Sequence, residues 1–501
     1  MKTVTVALGA SLVLCLVWLA GSLGPRIPPR TGAVAIVGAR IADGTGAPLH
    51  AGTVRIERDT IVSVSGFGPL EGDTVVAANG LVLAPGFIDP HNHSAEGLLS
   101  EDPLAVSQIS QGITTALLGP DGSSPWPIAD YLDRLRAQLV PFNVLLTVGH
   151  ATVRRQVMGD DYKRPATPEE VSRMAGLVER GMREGAVGLS SGLEYEVGGY
   201  ASTDEVIALA KAAGRHRGFY ISHIRDEADR AFEAMRELVR IGEEAHLPVQ
   251  NTHMKLGTVG VWGRADAAVA LYDEARARGV EVTADVYPYD AWHSTITVLV
   301  PNKQYDDPQS VERALSDVGG PANVRITNCT AHPYYEGRNL EEIATAEGVS
   351  PVDVFIRIVR DGGASVIGKS MIDADIERLY RQPWAMVGSD GGIGMRHPRA
   401  TGTFPRVLGR FVRERHWLSL EEAVRKMTSL PAARLKLADR GVVLRGMKAD
   451  LVLFDPRTVA DRSTFDDPGA LSEGIEQVYV NGVLVWRHGA PTGARPGRIL
   501  K

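Results

Sequence analysis

Cysteine is nearly absent from this 501-residue chain: there are two, Cys15 and Cys329. That excludes disulfide scaffolds and cysteine-built zinc clusters together. An excess of basic charge is missing as well. Lys plus Arg number 54 against 60 Asp plus Glu, a net charge of -6, so a protein working on nucleic acid is not expected. A local basic pocket for a small anion is compatible with that balance. Internal repeats and low-complexity tracts are lacking. Hydrophobic residues at 44% and charged residues at 23% are the proportions of an ordinary folded protein, and the length suggests about three domains.

Long hydrophobic runs are scarce, with one exception at the start. VTVALGASLVLCLVWLAGSLG follows Met1-Lys2 and precedes PRIPPR. A positive start, an apolar stretch and small residues near Ala20 and Ser22 predict an export signal over residues 1–24. At about 20 residues the run is also long enough for a retained membrane anchor. The expected location is therefore periplasmic, secreted or membrane-anchored. Removal of the segment takes Cys15 with it and leaves Cys329 without an intrachain partner.

Beyond it, residues 33–85 read as short strands: AVAIVGARIADGTG, TVRIERDTIVSVSG, DTVVAANGLVLAPG. The same β-branched texture with Gly, Asp and Asn turns returns within 438–501, in ADLVLFDP and IEQVYVNGVLVWRHG. One small β-sandwich domain built from both ends is expected. Between them, over 86–437, strand-like runs alternate with helical stretches. The runs are LVLAPGFID, ITTALLG, FNVLLTVGH, AVGLSSG, GFYISHI, LPVQNTHM, VEVTADVYPY and WAMVGSD. Segments such as TPEEVSRMAGLVERGMREG open on Ser, Thr or Asp and carry helical spacing. Repeated β-α alternation means a parallel sheet, and eight strands favour an α/β (β/α)8 TIM-like barrel with function at the carboxyl ends of its strands. The longer gap after the seventh strand predicts a small insertion at about 290–350.

The ionisable residues fall on those strand ends. His91 and His93 follow the first strand in Asp-Pro-His-Asn-His. Side chains at i and i+2 of an extended chain point the same way, so both reach one ion. His150 ends the third strand, His223 the fifth, His253 the sixth and Asp390 the eighth. Imidazole with carboxylate suits zinc and similar divalent ions, so one or two such ions are expected. A bound ion lowers the pKa of water towards about 7 and polarises a carbonyl. Asp390 is placed to take the proton of that water and return it to a leaving amine. His91, His93, His223 and His253 are the candidate ligands. His150 is a candidate ligand or substrate contact, and His332 and His397 carry no special claim.

These residues carry a resemblance. Pro-Gly-Phe-Ile-Asp-Pro-His-Asn-His, His223, His253 and the Ser-Asp-Gly at Asp390 resemble the amidohydrolase superfamily. Within it, the chain is similar to the N-acyl-D-amino-acid deacylases (D-aminoacylases). The stretches that match are VGHATVRRQVMGDDYKRPATPEE, GLSSGLEYEVGGYAST, SHIRDE, HMK, ADVYPY, HPRATGTFPRVLGRFVRE and GVVLRGMKADLVLFDP. The resemblance runs from about residue 33 onward. It implies zinc, Asp390 as general acid/base, and His223 with His253 in the tighter metal site. It further implies Lys255, Tyr287 and Arg399 on the carboxylate of an anionic small-molecule substrate, and D-stereochemistry. The chain departs from the family at one place. Where Gly-Asn-Cys-Gly is common, it reads Gly119-Pro120-Asp121-Gly122-Ser123-Ser124. Asp121 is expected either to replace the thiolate, as a ligand that bridges two metals, or only to shape a Pro-Asp-Gly turn. No lysine closes the fourth strand to form the carbamylated bridge of hydantoinase-like relatives.

The reading that results is metal-dependent hydrolysis of N-acyl-D-amino acids. Its rivals are another amidase or cyclic amidase of the superfamily, a serine hydrolase using Ser190 of Gly188-Leu189-Ser190-Ser191-Gly192, and a non-catalytic exported binding protein.

Overall fold

The structure, a computed structural model, describes residues 33–100 and 104–501. The expected export segment lies outside them. Among the described residues no helix is long and apolar enough to cross a membrane.

Eight short strands form a parallel sheet in chain order: Phe87–Asn92, Ile113–Leu118, Asn143–Gly149, Gly188–Gly192, Tyr220–His223, Val249–Asn251, Val282–Val286 and Ala385–Val387. The ring closes between its ends, where His93 N donates to Gly391 O at 2.7 Å and Asp390 N donates to His91 O at 3.0 Å. Almost every residue of these strands is buried, because helices cover the outside and side chains fill the inside. The helices follow from local chemistry. Thr167 and Glu170 form a reciprocal capping box ahead of Pro168–Glu184, with Pro168 in the first turn, where its missing N–H costs nothing. Helix Ala231–Ala245 buries Ala231, Met235, Leu238, Gly242 and Ala245, a stripe at helical spacing that packs on the barrel wall.

Both ends of the chain meet in one nine-stranded sheet. The junction is the antiparallel pair of Val82–Pro85 with Leu451–Phe454. Alternation sorts their side chains. Leu83, Leu451 and Leu453 point into the sheet's own core with Ile36, Val54 and Ile61, while Val82, Val452 and Phe454 join the barrel core.

The insertion is longer than the spacing suggested. Its three antiparallel strands are Ala291–Thr295, Val324–Asn328 and Ser365–Lys369, and the last of these lies in the middle, paired to both others. A unit ending near residue 350 would lack its central strand. Its separate core holds Ile296, Val311, Ile326, Ile343 and Phe355.

Candidate metal centre and active site

His91 and His93 sit where the first barrel strand runs out and bring both Nε2 atoms to one point, 3.3 Å apart. Asp121 Oδ2 stands 3.2 Å from His91 Nε2 and 3.3 Å from His93 Nε2. Asp390 Oδ1 stands 3.1 Å from His93 Nε2 and 3.4 Å from His91 Nε2. Four ligand atoms about 2.0–2.1 Å from a tetrahedral zinc ion are about 3.3–3.4 Å apart, so these spacings match a tetrahedral cage. Beside it, His223 Nδ1 lies 2.9 Å from His253 Nε2, which lies 3.7 Å from the same Asp121 Oδ2. Two donor groups therefore adjoin, and the residues present fit a divalent metal. His253 also approaches the first group, and Glu227 approaches the second.

The backbone is bent to make this possible. Asp121, His253 and Asp390 all have left-handed φ values, 56°, 37° and 48°. Strain of about 1–3 kcal/mol per residue persists only where the surroundings impose it, and it collects at functional sites. At Asp121 the Pro-Asp-Gly bend aims the carboxylate at His91 and His93. The turn after Asp390 also needs glycine for space: a Cβ on Gly391 would lie 2.8 Å from Ala400 Cα.

Neighbouring groups orient the ligands. Asp285 of the seventh strand faces His91 Nδ1 at 3.4 Å and accepts from His253 N at 2.8 Å and from Gln250 Nε2 at 2.6 Å. Glu194 lies 2.6 Å from His223 Nε2, and the Tyr195 ring lies 4.4 Å from the His223 ring. Such contacts fix the tautomer that leaves the other nitrogen free for a metal. Burial would raise the carboxyl of Asp390, but Arg399, His91 and His253 hold it far below the usual range. Burial lowers the imidazole of His91, but Asp121, Asp390 and Asp285 carry it well above its ordinary value. For His253, burial and Lys255 act downward and are outweighed by Glu227, Asp390 and Asp121, which bring it up to about 9. A raised imidazole pKa means that a proton occupies the metal-free site below pH 9 and must leave when an ion enters. Zinc affinity is therefore expected to climb with pH, about tenfold per unit for each proton displaced. Competition titrations against a chelator from pH 6 to about 9.5 check this, and a flat profile contradicts it.

The cavity over this centre measures about 640 Å³ and lies between the barrel mouth and the insertion, which contributes Trp292, His293 and Leu299. Lys255 and Arg399 line it. Arg399 Nη1 lies 2.7 Å from Asp390 Oδ2, and Lys255 is held by Glu227. Tyr287 does not line the cavity. It lies behind the two cations as a platform, with its ring 4.8 Å from the Arg399 guanidinium and 5.8 Å from Lys255 Nζ, and its buried hydroxyl has no acceptor.

Two sequence expectations need correction. His150 is not at the metal centre or the substrate cavity. It is the first residue of helix His150–Met158, which turns its Nε2 to Glu205 Oε1 at 2.9 Å, and Glu205 also holds Arg154. Ser190 lies buried inside its strand, giving its hydroxyl to Gly119 O at 2.6 Å and accepting from Gly122 N at 3.2 Å. Its hydroxyl is engaged by these two backbone groups and by no histidine, so the serine-nucleophile alternative loses its base. His397, given no claim from sequence, is buried and accepts from Arg399 N at 3.0 Å. Glu194, Glu227, Asp285 and Tyr195 were unassigned, although SHIRDE and the stretch around Glu194 had stood out as segments.

A closed parallel barrel with a histidine–carboxylate centre at its carboxyl mouth defines a (β/α)8 barrel of the metal-centred hydrolase type. The chain belongs to the amidohydrolase family, whose pattern matches residues 74–486. It is 37% identical over 490 residues to a D-aminoacylase of Alcaligenes xylosoxydans xylosoxydans, covering 93% of this chain and 96% of that one. It is 36% identical over 492 residues to an N-acyl-D-glutamate deacylase of the same organism, covering 93% and 96%. It also resembles the crystal structure of N-acyl-D-glutamate deacylase from Bordetella bronchiseptica, complexed with zinc and a phosphonate mimic of the tetrahedral intermediate. There the TM-score is 0.84 at 35% identity, over 94% of this chain and 99% of that one.

Proposed function

We propose that the protein hydrolyses N-acyl-D-amino acids to a carboxylate and a free D-amino acid, with zinc as its metal. The observation that carries this reading is the two adjoining donor groups at the barrel mouth, one of His91, Asp121, His253 and Asp390 and the other of His223, Glu227 and His253, with the cations Lys255 and Arg399 in the same cavity. Relatives that align over nearly the whole chain are named for this activity, and one is complexed with zinc. A divalent ion held by these histidines and carboxylates would supply a lowered pKa for water, towards about 7, and polarisation of the scissile carbonyl. The chain's residues do the rest. Asp390, kept ionised by Arg399, accepts the proton of the attacking water and delivers it to the departing amine. Lys255 and Arg399 hold the substrate's carboxylate, Arg399 in a planar fork suited to two oxygens, with the Tyr287 hydroxyl behind them. The reading includes export, supported by the apolar run ahead of the fold; an N-terminal sequence of the purified protein tests it.

The cavity's charge restricts the side chain of the substrate. Its described lining carries two lysine or arginine cations, both already facing carboxylates, against six acidic residues that include Glu196 and Asp317 on the far side. A second substrate carboxylate would be desolvated without a partner. N-acetyl-D-leucine is therefore expected to exceed N-acetyl-D-glutamate in kcat/KM by about 10²-fold or more. Hydrolysis of N-acetyl-D-leucine should vanish with chelator and return with added zinc. Activity that survives full metal removal would overturn the function, and equal rates on the two substrates would overturn the side-chain preference.

A further inference from the structure

The wall that the insertion gives to the cavity continues past the groups that meet the substrate's amide and carboxylate. Val298 and Leu299, from the turn Ile296–Leu299, and Ala314, from helix Pro308–Asp317, make it apolar together with Val318. It ends in polar groups. Asp317 closes the helix, and Thr258 lies in the loop after the sixth barrel strand; both line the cavity. Val259 N donates to Asp317 O at 2.9 Å and so ties that loop to the helix end. Thr258 Oγ1 is buried and has no hydrogen-bond partner. An unmatched buried hydroxyl is costly, and a donor on a ligand relieves that cost.

Asp317 is also the least neutralised acid of the cavity. The other five acidic residues of the described lining, Asp121, Glu194, Glu196, Glu227 and Asp390, each have a histidine, lysine or arginine nitrogen within 3.2 Å. For Asp317 the contact is Arg313 Nε at 3.7 Å, and that guanidinium gives Nη2 to Asp229 at 2.6 Å. Burial and Asp229 raise the Asp317 carboxyl above its ordinary value, and Arg313 offsets them only in part. A helix also carries about half a negative charge at its C-terminal end, so a carboxylate there is unfavourable and a cation is favoured. We propose that this end of the cavity is a subsite for a cationic side chain, and that the preferred substrates are N-acyl derivatives of basic D-amino acids such as D-lysine. The proposal rests on the deacylase reading, which places the substrate's carboxylate at Lys255 and Arg399. Thr258 follows Lys255 by three residues, about 10 Å of extended chain at most, a span that a lysyl side chain and its carboxylate bridge. The methylene stem lies along Val298, Leu299, Ala314 and Val318. The ammonium reaches Asp317, with Thr258 Oγ1 as a second acceptor.

The test compares Nα-acetyl-D-lysine with N-acetyl-D-norleucine, which has the same stem without the ammonium, on the zinc-loaded full chain. The lysine substrate should lead in kcat/KM by about tenfold or more, chiefly through KM, and the lead should shrink as salt rises from about 0.05 to 0.5 M. Asp317→Asn should erase the lead, and Asp317→Glu should keep most of it. Asp317→Lys should reverse it and lift N-acetyl-D-glutamate above Nα-acetyl-D-lysine. Thr258→Val should cut the lead several-fold. Each reading is a ratio of two substrates on one sample, so a loss of folded protein does not imitate it. Equal rates on the lysine and norleucine substrates, or a lead that Asp317→Asn retains, overturn the proposal and leave the deacylase reading standing. Hydrolysis of neither substrate removes the deacylase reading, and equilibrium binding of the same two compounds then decides the subsite. It stands if Nα-acetyl-D-lysine binds more tightly than N-acetyl-D-norleucine to the native protein but not to Asp317→Asn, and it falls otherwise.

Discussion

Asp390→Asn is expected to lower kcat/KM for N-acetyl-D-leucine by about 10²–10⁴-fold, the range that a positioned proton-transfer group contributes. That is about 3–5 kcal/mol of transition-state stabilisation. The geometry gives the carboxylate two faces. Oδ1 stands 3.1 Å from His93 Nε2 in the ligand cage, and Oδ2 pairs with Arg399 at 2.7 Å. Asparagine keeps the shape and a donor atom for the cage but cannot carry the water's proton to the leaving amine. The loss should fall on kcat, because the grip on the substrate's carboxylate is left in place. Zinc analysis of the same sample separates this from loss of metal, since His223, His253 and Asp121 remain. A variant that retains its zinc and loses less than about tenfold would remove Asp390 from proton transfer.

Asp121→Ala should have an effect at least as large. Its Oδ2 lies near His91, His93 and His253 together, at 3.2, 3.3 and 3.7 Å. Without it these imidazoles keep Asp390 as their nearby carboxylate but lose the one that also approaches His253, so their hold on divalent ions weakens. We expect zinc content to fall by about half or more, and activity by about 10³-fold or more. Asp121→Cys should recover much of both, because a thiolate binds zinc as well as a carboxylate does. If Asp121 only shaped the turn, its alanine variant would keep its zinc and cysteine would rescue nothing. Metal analysis and steady-state kinetics on the two variants decide between these outcomes.

The barrel was legible because most of its strands are short, largely apolar runs, several of them followed within a few residues by a histidine or an aspartate. His223, His253 and Asp390 could be placed by that rule, since they come at or just beyond the ends of Tyr220–His223, Val249–Asn251 and Ala385–Val387. The rule is blind to direction. His150 follows the strand Asn143–Gly149 in the same manner, yet it opens a helix that turns its ring toward Glu205. Asp285 was out of reach for the opposite reason: it lies inside a strand and reaches His91 only across the barrel. Glu194 and Glu227 come from loops, whose approach to the histidines depends on tertiary packing and not on spacing. The insertion was underestimated because its central strand, Ser365–Lys369, comes last in the chain and pairs with two strands that precede it. The union of the chain's two ends was foreseeable from their shared β-branched texture. Their register, Val82 opposite Phe454 and Leu83 opposite Leu453, was not.

The central claim is that a zinc centre built from histidine and carboxylate, with Asp390 as its proton carrier, cleaves the amide of an N-acyl-D-amino acid. Its most direct test is one sample divided between metal analysis and a stereo-paired assay of N-acetyl-D-leucine against N-acetyl-L-leucine. Stoichiometric zinc and release of leucine from the D-substrate alone are the predicted results. Release from the L-substrate alone, or turnover by protein that holds no stoichiometric metal, would contradict the claim.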